Sequence, residues 1–276
     1  NITAIFRSQI HNVSSAFYQL MKDFDIDANH DFRTAIKKLR AFVRLTNLSL
    51  PDTSNKIPRR IRSFYHAAGD LRNLQLHARR LTEICRTMAI DEPGAYQDAL
   101  ADQQEFARKK MKDAAETLSP DNFEKLCKHT PPALHAAMKR RFVRDNIGRL
   151  VGLLALPFLT DELLHEVRKI IKDLVYNYEC LASEIKFLVP SPLNRLEFME
   201  DITQKLGDLQ DLRMALMFLA PPFRSSAVSE ARQLAEVRRH VQLSRDNLRN
   251  ELLTVLIDLK PLLSNAGYSV NVSMAT

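Results

Sequence analysis

The stretch His30-Asp31-Phe32-Arg33-Thr34-Ala35-Ile36-Lys37-Lys38-Leu39-Arg40-Ala41-Phe42-Val43-Arg44 decides the fold class. Phe32, Ile36, Leu39 and Val43 recur at spacings of 4, 3 and 4, which places them on one face of a 3.6-residue helix and marks that face for a core. His30, Arg33, Lys37, Arg40 and Arg44 step by 3, 4, 3 and 4 along a second face. Five Lys and Arg residues meet one acid, Asp31, in this stretch. Like charges three and four residues apart repel by a few tenths of a kcal/mol per pair. Helix formation therefore gains nothing from the stripe, which points either to a solvated face paired with acids on neighbouring helices or to an anionic ligand.

The same pattern spreads outward along the chain. All 12 prolines fall in a few places among 276 residues, and the long intervals between them are rich in Leu, Ala, Arg, Lys and Glu. Because proline removes a helical hydrogen bond, these clusters predict helices over 2–22, 30–47, 58–88, 95–117, 121–128, 132–154, 161–187, 193–219 and 225–260. Six glycines leave little material for the positive-φ turns of sheet proteins. The fold class is all-α. Residues 264–276 lack a period and read as a tail.

Two motifs recur in the same order. The form H-x-x-R-x-x-x-K at His30–Lys37 returns at His165–Lys172, an offset of 135, and Gly69-Asp70-Leu71-Arg72-Asn73-Leu74-Gln75 is answered by Gly207-Asp208-Leu209-Gln210-Asp211-Leu212-Arg213, an offset of 138. Ordered matches at nearly equal offsets predict a duplication: a first helical-bundle repeat over 1–128, a second over 129–262 and a tail over 263–276. In the second copy His165, Arg168 and Lys172 occupy the motif face and Tyr176 continues it by one turn. Related halves could bring two cationic strips face to face.

Charge and motif content narrow the chemistry. Forty Lys and Arg against 33 Asp and Glu give +7. Stripes rising 5.4 Å per turn suit a flexible polyanion charged every few Å better than one compact phosphate. Neither a G-x-x-x-x-G-K-[ST] loop nor a G-x-G-x-x-G turn occurs, and no aromatic residues interleave the stripes as base stacking would need. His30 and His165 lack a second ligand at i+4, so no metal and no cofactor is expected. Each histidine serves either as a packing or capping residue or as a hydrogen-bond donor to phosphate. Three scattered cysteines and a longest apolar run half the length of a bilayer span lead to a cytoplasmic expectation with no membrane partner.

These residues resemble the conserved histidine α-helical, or CHAD, domain family. His30–Arg40 matches its H-x-x-R-x-x-x-[KR]-[KR]-L-R hallmark, Leu164–Glu179 matches L-H-x-x-R-x-x-x-K-x-x-x-Y-x-x-E, and Leu206–Asp211 matches L-G-x-x-[RQ]-D. Asn73 and Gln75 stand where the family tends to carry acids, and Val175 where it carries a basic residue. The resemblance implies two pseudo-symmetric bundles of about four helices around a basic central cleft, and binding of inorganic polyphosphate without known catalysis, which extends the cytoplasmic expectation to polyphosphate granules. Relatives often accompany triphosphate tunnel metalloenzyme domains, whose E-x-E-x-K signature is absent here. The expected site comprises His30, Arg33, Lys37, Lys38, Arg40, Arg44, Arg72, His165, Arg168, Lys169, Lys172 and Tyr176. The alternatives are sequence-independent nucleic-acid binding on the same basic surface, or an accessory role to phosphate- or nucleotide-processing enzymes.

Overall fold

The computed structural model describes residues 2–50, 54–118, 123, 131, 133–220 and 228–268, and among them finds nine α-helices and no strand. In chain order these are α1 (Ile2–Asp23), α2 (Ile26–Asn47), α3 (Arg59–Met88), α4 (Gly94–Glu116), α5 (Ala136–Leu154), α6 (Asp161–Tyr176), α7 (Tyr178–Leu188), α8 (Leu196–Phe218) and α9 (Val228–Asn265). The helix expected over 121–128 lies outside the described residues apart from Phe123.

Helix α2 starts four residues before the expected boundary. The Asp25 carboxylate accepts from the backbone N–H groups of Asp27 and Ala28 at 2.8 and 3.0 Å, so it, and not His30, caps the helix. These bonds hold the Asp25 carboxyl below its usual range. As expected, Phe32, Ile36, Leu39 and Val43 are buried.

Helices pack in the same order along the chain: α1 on α2, α2 on α3, α3 on α4, then α5 on α6, α6 on α8, α8 on α9. Two core clusters result. The first is aromatic at its centre, where the Phe64 ring meets Phe17 and Phe32 at 5.0 Å in edge arrangements. The second is mainly aliphatic, built from Ile147, Leu150, Val167, Ile171, Leu181 and their neighbours. Helix α9 serves both: Leu234, Val237 and Val241 enter the first core, Leu252, Leu256, Leu259 and Leu263 the second. The halves also meet directly where α2 packs on α6 and α3 on α8.

Two expectations need correction. The helix expected over 161–187 breaks at Asn177, which is buried and whose side-chain amide donates to the Asp173 carbonyl at 2.9 Å. A short amide side chain that bonds nearby backbone offers the chain an alternative to the helical ladder. The chain then resumes as α7, which packs on α5. The long last helix does not stop before Pro261 but continues through it to Asn265, and the expected tail begins later. Pro261 and Ile257, whose carbonyl loses its i+4 donor, both lie on the exposed side, where water can satisfy that carbonyl, while Leu259 and Leu263 anchor the segment in the core. The Tyr268 hydroxyl extends the anchorage by donating to the Leu188 carbonyl at 3.1 Å.

Candidate functional site

Where α2 and α3 meet α6 and α8, the two motif helices bring cations from both halves together. Arg33 and Lys37 come from α2, Arg72 from α3, and Arg168 and Lys172 from α6; all five are partly buried. The environment of Lys37 reports the crowding. Burial first, then the positive charges of Arg33, Arg168 and Arg72, pull its ammonium down to about 7, opposed by the Asp211 carboxylate. Lys172 is lowered for related reasons, burial followed by Arg168, with Lys38 adding to the effect. Burial also lowers Arg33 and Arg72, yet a guanidinium stays charged at any physiological pH.

Three of these cations are held by backbone carbonyls. Arg33 Nη1 donates to the Tyr65 carbonyl at 2.8 Å and its guanidinium carbon lies 4.4 Å from the Tyr65 ring centroid. Arg168 Nε donates to the Thr203 carbonyl at 3.2 Å, and Arg72 Nη1 to the Ile26 carbonyl at 3.2 Å. Tyr65 and Thr203 are 138 residues apart, the offset that separates the two glycine motifs. The buried Asn29 amide reinforces the α2–α3 contact by donating to the Ala68 carbonyl at 2.9 Å.

The remaining expected residues are placed unequally. Lys38 and Arg40 are exposed, with Arg40 5.8 Å from the Tyr65 ring centroid. Tyr176 receives Lys172 at 5.4 Å from its ring centroid, and burial raises its hydroxyl above the usual range. The His30 Nε2 lies 3.4 Å from the Thr34 hydroxyl, and partial burial of the ring, then Arg72, lowers its proton affinity. His165 is likewise lowered, by burial, then Lys169 and Arg168.

Arg44 and Lys169 depart from the picture of a stripe free of local acids. The Arg44 guanidinium forms a two-pronged ion pair with Asp173 of α6, so its charge is compensated within the fold and ties the two halves together. Lys169 pairs with Glu166 one turn earlier at 2.7 Å. The expectation that folding gains nothing from the stripe is also corrected at Arg33 and, in the second copy, at Arg168, whose carbonyl bonds join neighbouring helices, as does that of Arg72 outside the stripe.

Sequence reasoning passed over Tyr65, which offers Arg33 both a carbonyl and a ring, and Asp211, which stands among the cations. Tyr65 precedes Gly69 by one turn, but a carbonyl belongs to every residue and leaves no side-chain signal. Asp211 was visible as part of the repeat and as the acid of the L-G-x-x-[RQ]-D motif, but nothing local placed it among the cations. Burial raises its carboxyl, opposed by Arg80, Arg72 and Arg168. Among the described residues no three His, Cys, Asp or Glu side chains converge as metal ligands would, and no helix is long and apolar enough to cross a membrane.

The chain is similar in fold to the crystal structure of the CHAD domain from the plant Ricinus communis, with a TM-score of 0.56 and 16% identity over 96% of this chain and 90% of that one. No curated protein matches it. The sequence profile of the CHAD domain matches residues 4–220, a span that includes both H-x-x-R motifs, both glycine motifs and every cation of the cluster, and on that match the chain belongs to the CHAD domain family.

Proposed function

We propose that the chain binds inorganic polyphosphate, without catalysing its turnover, at the cluster formed by Arg33, Lys37, Arg72, Arg168, Lys172 and Tyr176, with His30, Lys38, Arg40 and His165 at its edges. One observation carries this reading: at Lys37 the charges of Arg33, Arg168 and Arg72 outweigh the one acid that opposes them, Asp211, while the other acids of the region act on its rim, Asp70 on Arg33, Asp27 and Asp31 on Arg72, and Glu200 on Lys172. Such a cluster costs stability unless an anion occupies it, and cations contributed by both halves favour a ligand long enough to bridge them. Arg44 and Lys169, each already paired with an acid, contribute less.

Titration with long-chain polyphosphate at several salt concentrations tests the reading. By analogy with single-stranded nucleic acids, log K falls with log salt at about −0.7 per neutralised phosphate, so roughly six phosphates give a slope near −4. A flat salt response, or equal affinity for orthophosphate and long chains, would overturn it. Displacement of bound polyphosphate by equimolar RNA phosphate would instead assign the surface to nucleic acid.

A further inference from the structure

Gly69 and Gly207 lie inside helices α3 and α8, where glycine is the poorest residue short of proline. Neither has a positive φ, so backbone conformation does not call for it. Space does. A methyl group built on Gly69 would overlap the Arg33 guanidinium, with Cζ at 3.0 Å and Nη2 at 3.3 Å, and one on Gly207 would stand 3.0 Å from Arg168 Nη2 and 3.3 Å from its Nε. Gly148 and Gly152, also helical, have nothing within 4 Å of that position. The glycines that meet an arginine are those of the repeated motif, and the arginine each meets is that of the H-x-x-R motif from the same half.

We propose that Gly69 and Gly207 are positioning residues of the anion site, each forming a notch that clamps one arginine before a ligand arrives. Each clamp has the same parts. A carbonyl one turn before the glycine, that of Tyr65 or Thr203, accepts one guanidinium N–H, and the bare glycine lets the guanidinium lie against the helix. The Tyr65 ring adds a third side for Arg33. A guanidinium has five N–H donors, so one carbonyl bond leaves most of the fork for phosphate oxygens. Arginine loses much rotamer freedom when immobilised, and a clamp makes that loss part of folding instead of part of binding. The two halves thus present one pre-oriented arginine each, around Lys37, which is sensitive to both.

The inference deepens the polyphosphate reading and rests on it for its ligand. Affinity of long-chain polyphosphate is measured for Gly69→Ala and Gly207→Ala, alone and combined with Arg33→Gln or Arg168→Gln, with Gly148→Ala as control. Each glycine substitution is expected to weaken binding about ten- to a hundredfold, the worth of a hydrogen-bonded charge. It should also flatten the salt slope by about 0.7, the share of a single phosphate. The loss should vanish when the matching arginine is already Gln, and Gly148→Ala should bind like the parent. Equal affinity of parent and glycine variants overturns the clamp, and so does a loss that persists without the arginine, since that reports only altered helix packing. Gly207→Ala, with the wider clearance, keeps the test decisive if Gly69→Ala fails to fold. A parent that does not bind polyphosphate defeats the function instead. The clamp is then judged in the free protein by NMR: dispersed Nε–Hε signals for Arg33 and Arg168 that move to the flexible-arginine position in the matching glycine variant support it, and signals that stay put overturn it.

Discussion

Polyphosphate affinity is expected to fall about 50-fold between pH 7 and pH 9, and Lys37 is the reason. Burial and the charges of Arg33 and Arg72 beside it, and of Arg168 across from it, hold its ammonium at about 7, so half of the free molecules carry the proton at pH 7 and about 1% at pH 9. Phosphate oxygens at the cluster reverse the cause of the shift, restoring Lys37 toward its ordinary value near 10.4, where it stays protonated across the range. Binding then takes up a proton, and the affinity follows the protonated fraction of the free protein. The ratio of those fractions gives about 50, or roughly 2.3 kcal/mol. His30 and His165 are both lowered, chiefly by burial, which moves their titration away from this range, and burial raises Tyr176 above it. Isothermal titration calorimetry in buffers of different ionisation enthalpy measures both affinity and proton uptake. Lys37→Arg, which stays charged, should remove the 50-fold part while keeping the contact. A parent affinity constant within threefold from pH 7 to 9, or a Lys37→Arg variant with an unchanged pH slope, would refute the reasoning.

Three further outcomes are expected. Lys37 has a lowered folded-state pKa, so the unfolded chain binds more protons between about 7 and 10.5 and the stability of the ligand-free protein should rise with pH across that window. Lys37→Met should accordingly raise the stability at pH 7 by roughly 1–3 kcal/mol after allowance for solvent screening, read as a higher melting temperature, while weakening binding. Arg44→Ala strands the Asp173 carboxylate, whose side chain is 9% exposed, and should cost about 1–3 kcal/mol in denaturant unfolding with little change in polyphosphate affinity, because Arg44 is engaged within the fold. A double-mutant cycle with Asp173→Asn should recover much of that loss. Gly148→Ala, exposed inside α5 with nothing near the added methyl, should stabilise the protein by about 1 kcal/mol in the same assay.

The helices and the identity of the candidate cations were legible in the sequence because both rest on short-range periodicity. A 3.6-residue repeat assigns Phe32, Ile36, Leu39 and Val43 to one face and Arg33 and Lys37 to another wherever the helix ends up packing. The recurrence of H-x-x-R and G-D-L motifs at matching offsets was equally local, and it paired each arginine motif with a glycine motif without showing that they touch. Competition between local bonds was harder to read. Asn177 breaks a helix that apolar spacing would continue, because its amide reaches the Asp173 carbonyl, and α9 passes Pro261 because buried leucines on either side hold it.

What each charge meets was decided by tertiary structure alone. Arg33, Lys37, Arg40 and Arg44 share a stripe, yet Arg44 pairs with an acid 129 residues away, Arg33 is clamped on a carbonyl and a glycine, and Lys37 is left among like charges. Position on a helix face is a property of the chain's own geometry, whereas a proton affinity or an ion pair depends on groups that only packing between distant helices brings within a few ångströms. Coulomb energy falls with distance and dielectric, so the same lysine is an ordinary solvated cation in the unfolded chain and a half-deprotonated one between α2, α3 and α6.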